Sequence, residues 1–149
     1  MARSRVRIRY AQLADADAVF GLLGQLAMSY RPQRSAFDQS FELLLSAMTY
    51  DSADLLVAED GGTVIGYALT RRFPVLYANG PVSELHELVV DEAHRGRGAG
   101  RRLVEAVIAR ARTAGAVELT VPTRRAHDFY RRFGFEETAT VMKLPLPPD

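Results

Sequence analysis

A glycine-rich segment between a buried strand and a helix constrains the fold of this chain most. The segment, 95–100, reads Arg-Gly-Arg-Gly-Ala-Gly. An apolar stretch from Leu85 to Val90 precedes it, and apolar residues at helical spacing follow from Leu103 to Ala111. Such a turn points several backbone N–H groups at one spot, at the positive end of a helix dipole. The sequence therefore predicts an α/β fold with a turn suited to a phosphate or pyrophosphate.

Glycine-rich turns also occur in α/β domains that bind no anion, so the spacing alone leaves both interpretations open. Two well-known phosphate loops are excluded. A Walker loop needs Gly-Lys-Ser/Thr after four intervening residues, and the chain contains no such run. A dinucleotide fingerprint needs Gly-x-Gly-x-x-Gly, whereas the glycines here stand at positions 96, 98 and 100. Positive charge at the turn can come from Arg95, Arg97 and Arg101.

Hydrophobic periodicity and turn residues predict the element order β-α-α-β-β-β-α-β-α-β. The predicted strands are 5–10, 55–59, 63–73, 82–90, 117–121 and 138–144. The predicted helices are 15–28 with Asp15 as the N-cap, a second around Phe41 to Met48, then 98–114 and 125–133. Segments 30–37, which contains Pro32, and 74–81 are predicted loops.

Composition narrows the class of protein. The 149 residues fit one domain, 1–149, and a hydrophobic content of 48% allows a sizeable core. Without cysteine there is no disulfide, thiolate nucleophile or thiolate metal site. No apolar run approaches the roughly 20 residues of a membrane helix, and the arginine-rich N-terminus is not typical of a signal peptide. We expect a cytoplasmic protein with no membrane partner.

Two motifs resemble those of the GNAT superfamily of N-acetyltransferases. The first is the acyl-CoA motif Gln/Arg-x-x-Gly-x-Gly/Ala, which Arg95, Gly98 and Gly100 match. The second is Ala-His-Asp-Phe-Tyr at 126–130, followed by Gly-Phe at 134–135. The resemblance covers the whole chain in length and element order. It implies the α/β GNAT fold, a mixed twisted sheet that splays between its fourth and fifth strands and is flanked by helices.

The resemblance implies acetyl-CoA as the acetyl donor. The backbone of Leu88, Val89 and Val90 would pair with the pantetheine arm, although these residues can equally be only a buried strand. Thr123 stands where many members carry asparagine, and its hydroxyl can still bond the pantetheine amide. The pyrophosphate would lie on Arg95, Gly96, Arg97, Gly98, Ala99, Gly100 and Arg101.

The resemblance also assigns candidate catalytic residues. Tyr130 occupies the position of the family's Phe-Tyr tyrosine and would contact the donor and protonate the departing thiolate; the alternative is a core tyrosine. Glu84 and His86 share one strand face by alternation, continued by Leu88 and Val90, with Glu87 on the opposite face. Either Glu84 or His86 would be the base, directly or through water, or both only line a wet cleft.

The expected function is transfer of an acetyl group to the primary amine of a small molecule by direct attack. The segment 84–90, which reads Glu-x-x-Glu-Leu-Val-Val, and the motif at 126–130 together most resemble aminoalkylphosphonate N-acetyltransferases. Alternatives are a non-catalytic acyl-CoA sensor, a protein N-acetyltransferase and a nucleic-acid binder, the last disfavoured by the net charge of +1. The resemblance leaves a homodimer open. The acceptor pocket would involve the first helices and loops 30–37 and 72–80.

The charged residues near that pocket do not determine the chemical class of the acceptor or whether the cleft holds a metal ion. Four arginines either favour an acidic acceptor or are solvated loop charges: Arg31, Arg34, Arg71 and Arg72. The three histidines lack metal-ligand spacing, so no metal is expected, although a cleft metal on Glu84 or His86 stays open.

Overall fold

The computed structural model describes residues 5–26 and 30–148, which build one five-stranded mixed sheet in the order β1-β2-β3-β4-β5. The strands are β1 Val6–Tyr10, β2 Ala53–Asp60, β3 Thr63–Phe73, β4 Val82–Val90 and β5 Glu118–Thr120. Neighbouring strands are antiparallel except β4 and β5, which are parallel. The bounds of β3 and β4 coincide with the predicted ones.

Helices cover both faces of the sheet. They are α1 Ala16–Leu23, α2 Arg34–Thr49, α3 Ala99–Thr113 and α4 His127–Arg131. On one face α3 packs over a core that includes Leu56, Ala68, Leu85, Leu103 and Val107. On the other face a second core between α1, α2 and the sheet includes Phe41, Leu55, Tyr67, Leu69 and Val89. Each face thus has its own apolar core, as alternation along the strands requires.

The two N-terminal helices differ from their predicted bounds. α1 ends at Leu23, short of the predicted 28, which lies outside the described residues. α2 begins at Arg34, so the predicted loop 30–37 is wrong over its last four residues. The proline at 32 precedes the helix, and the N–H of Phe37 donates to the carbonyl of Gln33 at 2.9 Å. Phe37 then extends the apolar stripe of α2 by one turn and stacks on Phe41.

Asp15 stands at the N-cap of α1 but does not cap it with its side chain. Its carboxylate instead accepts hydrogen bonds from Arg9 at 2.8 Å and from the N–H of Gln12 at 2.7 Å. The hydrogen bond from Arg9 is the main cause that lowers the pKa of Asp15 below its ordinary value. The residue therefore connects β1 to the start of the helix and does not accept hydrogen bonds from the N–H groups of the first helical turn.

The predicted last strand, 138–144, is wrong. Residues 135–148 have no regular secondary structure, and every residue from 136 to 148 is exposed. Strand-forming residue types are present, but they form no ladder with any described strand. Three prolines nearby lack the N–H groups that a ladder needs: Pro145, Pro147 and Pro148.

The sheet separates between β4 and β5, as predicted. Only three residue pairs join the two strands, and the last is Glu84 with Thr120. β4 continues for six residues to Val90, and no strand of the described chain lies along this edge. The splay leaves one side of the β4 backbone open.

A buried ionic network holds the paired end of the sheet to α3. Arg72 donates to Asp54 at 2.7 Å and to the Ser83 hydroxyl at 3.1 Å. Arg110 of α3 reaches the other Asp54 oxygen at 3.2 Å. Asp54 is 2% exposed, so these partners offset the cost of burying its carboxylate. Arg72 therefore neither faces an acceptor nor is a solvated loop charge, because its guanidinium is buried on the α3 side.

Replacing Asp54 by alanine should destabilise the protein strongly, because Arg72 would remain buried without a countercharge. Loss of one partner of a buried pair costs about 3–5 kcal/mol of unfolding free energy. Urea denaturation measures it. The control is Asp38→Ala, which breaks an exposed pair with Arg34 and should change stability little. Equal effects of the two substitutions would contradict this account.

Candidate active site

The turn between β4 and α3 has the geometry of an anion site. Gly96 and Gly98 have φ of +82° and +83°, a region that residues with a Cβ rarely adopt. Backbone N–H groups from Gly96 to Arg101 donate to no acceptor among the described residues, whereas the next one, of Arg102, donates to the carbonyl of Gly98. Six successive donors at the start of a 15-residue helix can therefore bind an external anion.

The arginines around the turn are exposed and already contact acidic or carbonyl groups. Arg95 donates to the carbonyl of Val90 at 3.3 Å. Arg97 lies 3.8 Å from a carboxylate oxygen of Asp60, and Arg101 donates to Glu105 at 2.8 Å. Each guanidinium has further N–H groups. Their charge thus remains available beside the backbone donors.

The open edge of β4 leads directly into this turn. Leu88, Val89 and Val90 pair with β3 on one side, opposite Ala68, Tyr67 and Gly66. On the other side no strand of the described chain accompanies them. Their backbone can thus pair with an extended ligand as a strand would.

Tyr130 of α4 lies next to the same region. Its residue is 7% exposed and packs edge-on against Phe129 and Phe135, with ring centroids 5.1 and 5.5 Å away. The hydroxyl makes no hydrogen bond with the described residues. Burial raises the pKa of Tyr130 above its ordinary value. A Cβ at Gly100 would lie 3.7 Å from the ring of Phe129. Helix α4 therefore packs beside the turn 95–101, which we call the anion turn.

Thr123 forms a hydrogen bond at the start of α4. Its hydroxyl oxygen accepts a hydrogen bond from the N–H of Ala126 at 3.1 Å. The hydroxyl proton stays available, because no described group accepts it. Thr123 can therefore orient α4 and still donate to a ligand.

A β-bulge at His86 changes which side chains share a face. Leu85 lies opposite Thr70 and Glu87 opposite Leu69, so His86 is an extra residue without a partner. Alternation restarts after it. Glu87 therefore lies on the same face as Glu84, and the expectation that it points the other way is wrong.

The same bulge places Leu88 and Val90 on the α3 face, in contact with the core there. Continuation of the Glu84 face by these two residues is therefore also wrong. Val89 lies on the α1/α2 face instead. The strand presents carboxylates toward α1 and α2, and apolar side chains toward α3.

Glu84 and His86 are close together and partly exposed. The Nε2 atom of His86 lies 3.6 Å from Oε2 of Glu84. Their side chains are 39% and 29% exposed, respectively, so water reaches both. Sequence reasoning brought these two residues together, and the structure does so as well.

Sequence reasoning missed the partnership between Glu87 and Tyr67. The Tyr67 hydroxyl donates to Oε1 of Glu87 at 2.7 Å, and Tyr67 is 1% exposed. Burial, followed by the charge of Glu87, raises the pKa of Tyr67 far above its ordinary value. A tyrosine in an otherwise apolar strand signals a buried hydroxyl that needs a partner, but not which partner.

Glu87 and Tyr67 line a cavity of about 260 Å³ between α1, α2 and the sheet. Its walls are mostly apolar and include Phe37 and Leu69. Residues 72–80, expected to help form the acceptor pocket, do not line this cavity, whereas α1, α2 and Pro32 and Gln33 of the segment 30–37 do.

Two structural absences hold within residues 5–26 and 30–148. No group of three or more His, Cys, Asp or Glu side chains is arranged to hold a metal ion. No helix there is long and apolar enough to cross a membrane.

Known proteins resemble this chain over nearly its whole length. It is 37% identical over 144 residues to glucosamine 6-phosphate N-acetyltransferase 1 of Oryza sativa subsp. japonica, with coverage of 93% of this chain and 86% of that protein. It is 35% identical over 158 aligned positions to aminoglycoside N(6')-acetyltransferase type 1 of Stenotrophomonas maltophilia, with 99% of each covered.

The fold is shared with solved structures. The crystal structure of glucosamine-6-phosphate N-acetyltransferase from Arabidopsis thaliana aligns with a TM-score of 0.83 at 22% identity, covering 95% of this chain and 99% of that one. The model of the acetyltransferase (GNAT) family matches residues 23–135, which include the splayed strand, the anion turn and Tyr130. The chain therefore belongs to the acetyltransferase (GNAT) family of enzymes.

Proposed function

We propose that the protein transfers an acetyl group from acetyl-CoA to the primary amine of a small molecule. The observation that carries this proposal is the continuity between the open edge of β4 and six unpaired N–H groups at the turn. Both of the relatives above that align over most of the chain are named for acetylation of an amine-bearing small molecule.

The residues present fit acetyl-CoA. The pyrophosphate is an anion for the turn 95–101, and the amides of the pantetheine arm match the open backbone of 88–90. The Thr123 hydroxyl can donate to the arm as well. Acetyl-CoA would supply the activated acetyl group, and a backbone N–H of this strand would polarise its carbonyl.

Tyr130 is the proposed proton donor. Its raised pKa keeps the hydroxyl protonated through the neutral and mildly alkaline range. Because the hydroxyl has no partner among the described residues, its proton is available to a departing thiolate. The packing against Phe129 and Phe135 fixes the ring.

Glu84 and His86 are the proposed base for the incoming amine. Their side chains lie 3.6 Å from each other and are partly exposed, so water reaches both. An ammonium must lose its proton before its nitrogen can attack, and either group can accept that proton directly or through one water.

An assay of thiol release tests the function. Acetyl-CoA is incubated with the protein and a panel of amines, and free thiol and acetylated amine are measured together. We expect amine-dependent release with one product formed per thiol. A non-catalytic sensor would bind acetyl-CoA without such release, and acetylation confined to proteins would overturn the small-molecule assignment.

Gly98→Asp should weaken acetyl-CoA binding. A side chain at φ +83° strains the turn, and a carboxylate there repels the pyrophosphate. We expect affinity to fall about tenfold or more in calorimetry, since repulsion of a few kcal/mol corresponds to that factor or a larger one. Gly115→Asp, at φ +82° beyond the far end of α3, is the control. Unchanged affinity of Gly98→Asp would contradict the anion site.

Tyr130→Phe should slow the chemical step and leave donor affinity nearly intact, because only the hydroxyl is lost. Loss of a general acid lowers the rate roughly 10²–10⁴-fold. Single-turnover kinetics measures the step without product release. Tyr50→Phe, at an 80% exposed residue, is the control. A rate within about threefold of the unchanged protein would return Tyr130 to a packing role.

The base can be identified from pH profiles of kcat/KM for Glu84→Gln and His86→Gln. The variant that lacks the base should lose roughly 10²–10⁴-fold in kcat/KM and also the acidic limb of the profile. The other variant should keep that limb. If both keep the unchanged profile, the amine loses its proton before it binds, and neither residue is the base.

A further inference from the structure

The cavity between α1, α2 and the sheet identifies the class of acceptor, given the proposed function. We infer that the acceptor is a small amine on an apolar body, and that its ammonium binds Glu87 while its apolar part fills this cavity. Tyr67 is a positioning residue for the Glu87 carboxylate.

The carboxylate of Glu87 carries a negative charge that no cation of the described residues pairs with. Oε1 of Glu87 accepts the Tyr67 hydroxyl proton at 2.7 Å, and the carboxylate has no ion pair with any described residue. One oxygen therefore remains for a ligand. A half-buried carboxylate is stabilised by an opposite charge, and the bound acceptor brings one. The Tyr67 hydroxyl supplies no positive charge, because a phenol is either neutral or anionic, and its raised pKa keeps it neutral.

The walls match an apolar body rather than a sugar or a phosphate. They are formed mainly by aliphatic and aromatic side chains, among them Leu23, Phe37, Phe41, Leu55 and Leu69. Polar side chains come from Gln33 and Ser40, at the rim on exposed positions, and from Glu87 and Tyr67.

No arginine or lysine of the described chain lines the cavity, so a phosphate would find no countercharge there. Arg34 lies over the rings of Phe20 and Phe37, but its guanidinium donates to Asp17 at 2.7 Å and to Asp38 at 2.8 Å. Two carboxylates therefore hold this guanidinium outside the cavity, and Arg34 is not among its lining residues.

The size of the cavity points the same way. About 260 Å³ is below the roughly 300–1,000 Å³ typical of pockets for drug-sized ligands. A single ring with a short amine arm suits that volume. A polycationic aminoglycoside has several rings and several ammonium groups, whereas the cavity offers one carboxylate.

The first test compares three acceptors with acetyl-CoA: 2-phenylethylamine, glucosamine 6-phosphate and kanamycin. We expect 2-phenylethylamine to have a kcat/KM about tenfold or more above the other two, a difference that an unmatched charge or hydroxyl readily produces. Equal or better use of either polar amine would overturn the acceptor class while the proposed acetyltransferase activity stood.

The second test measures binding alone. The protein with CoA bound is titrated by calorimetry with 2-phenylethylamine and with 2-phenylethanol, which lacks the charge. Glu87→Gln should weaken the amine about tenfold or more, as loss of a charge-assisted hydrogen bond does, and leave the alcohol unaffected. Glu118→Gln is the matched control, since Glu118 also accepts a tyrosine hydroxyl, from Tyr77, outside the cavity.

Two further variants separate positioning from folding. Tyr67→Phe keeps the buried ring and should raise KM for the amine more than it lowers kcat, whereas a purely structural role would lower stability alone. Ala36→Trp lies at an exposed position on the rim and should block the cavity without affecting the core. Unchanged binding of 2-phenylethylamine to Glu87→Gln and to Ala36→Trp would overturn the site.

The outcomes distinguish the two proposals. Glu87-dependent binding without acetylation of any amine would support the cavity assignment and overturn the proposed activity. Acetylation of 2-phenylethylamine that is indifferent to Glu87 would support the activity and overturn the cavity assignment.

Discussion

The early end of the pairing between β4 and β5 is the constraint on which the rest of this structure depends. Every backbone N–H and C=O in a sheet needs a partner, and three residue pairs satisfy β4 on that side only as far as Glu84. Beyond it the edge is left to solvent or to a ligand. An open strand edge is normally an aggregation hazard, yet here it leads into a turn whose own donors are unpaired. The two features form one extended surface, and Tyr130 lies beside it.

The bulge at His86 sorts the two halves of the proposed reaction onto opposite faces of the same strand. Without the extra residue, Glu87 would face the α3 core and not the Tyr67 hydroxyl on the other face. With it, Glu84 and Glu87 both face α1 and α2, while Leu88 and Val90 close the core under the anion turn. One unpaired residue thus separates an apolar face beneath the proposed donor site from a face that carries two carboxylates and can receive an amine.

The sequence predicted the elements that have strong local signals. It failed where pairing or packing with another element determines the structure. The bounds of β3 and β4 and the turn at 95–101 follow from alternation, glycines and helical spacing, all of which are local. The bulge is invisible to alternation, because it depends on how β4 pairs with β3, so the face of Glu87 was wrong. Residues 138–144 have strand-forming side chains but pair with no described strand. The start of α2 was hidden by a proline that lies just before it.

The end of the sheet where β4 and β5 are paired stabilises the end near Val90, where they are not. Arg72, Asp54 and Ser83 join β2, β3 and β4, and Arg110 adds α3, at the end where β5 is still paired. Ser83 itself lies opposite Leu119 of β5. Stability concentrated at this end means that the strand edge near Val90 need not contribute its own hydrogen bonds to the fold. A binding site on unpaired backbone requires such support, because its groups must hold their positions before a ligand arrives.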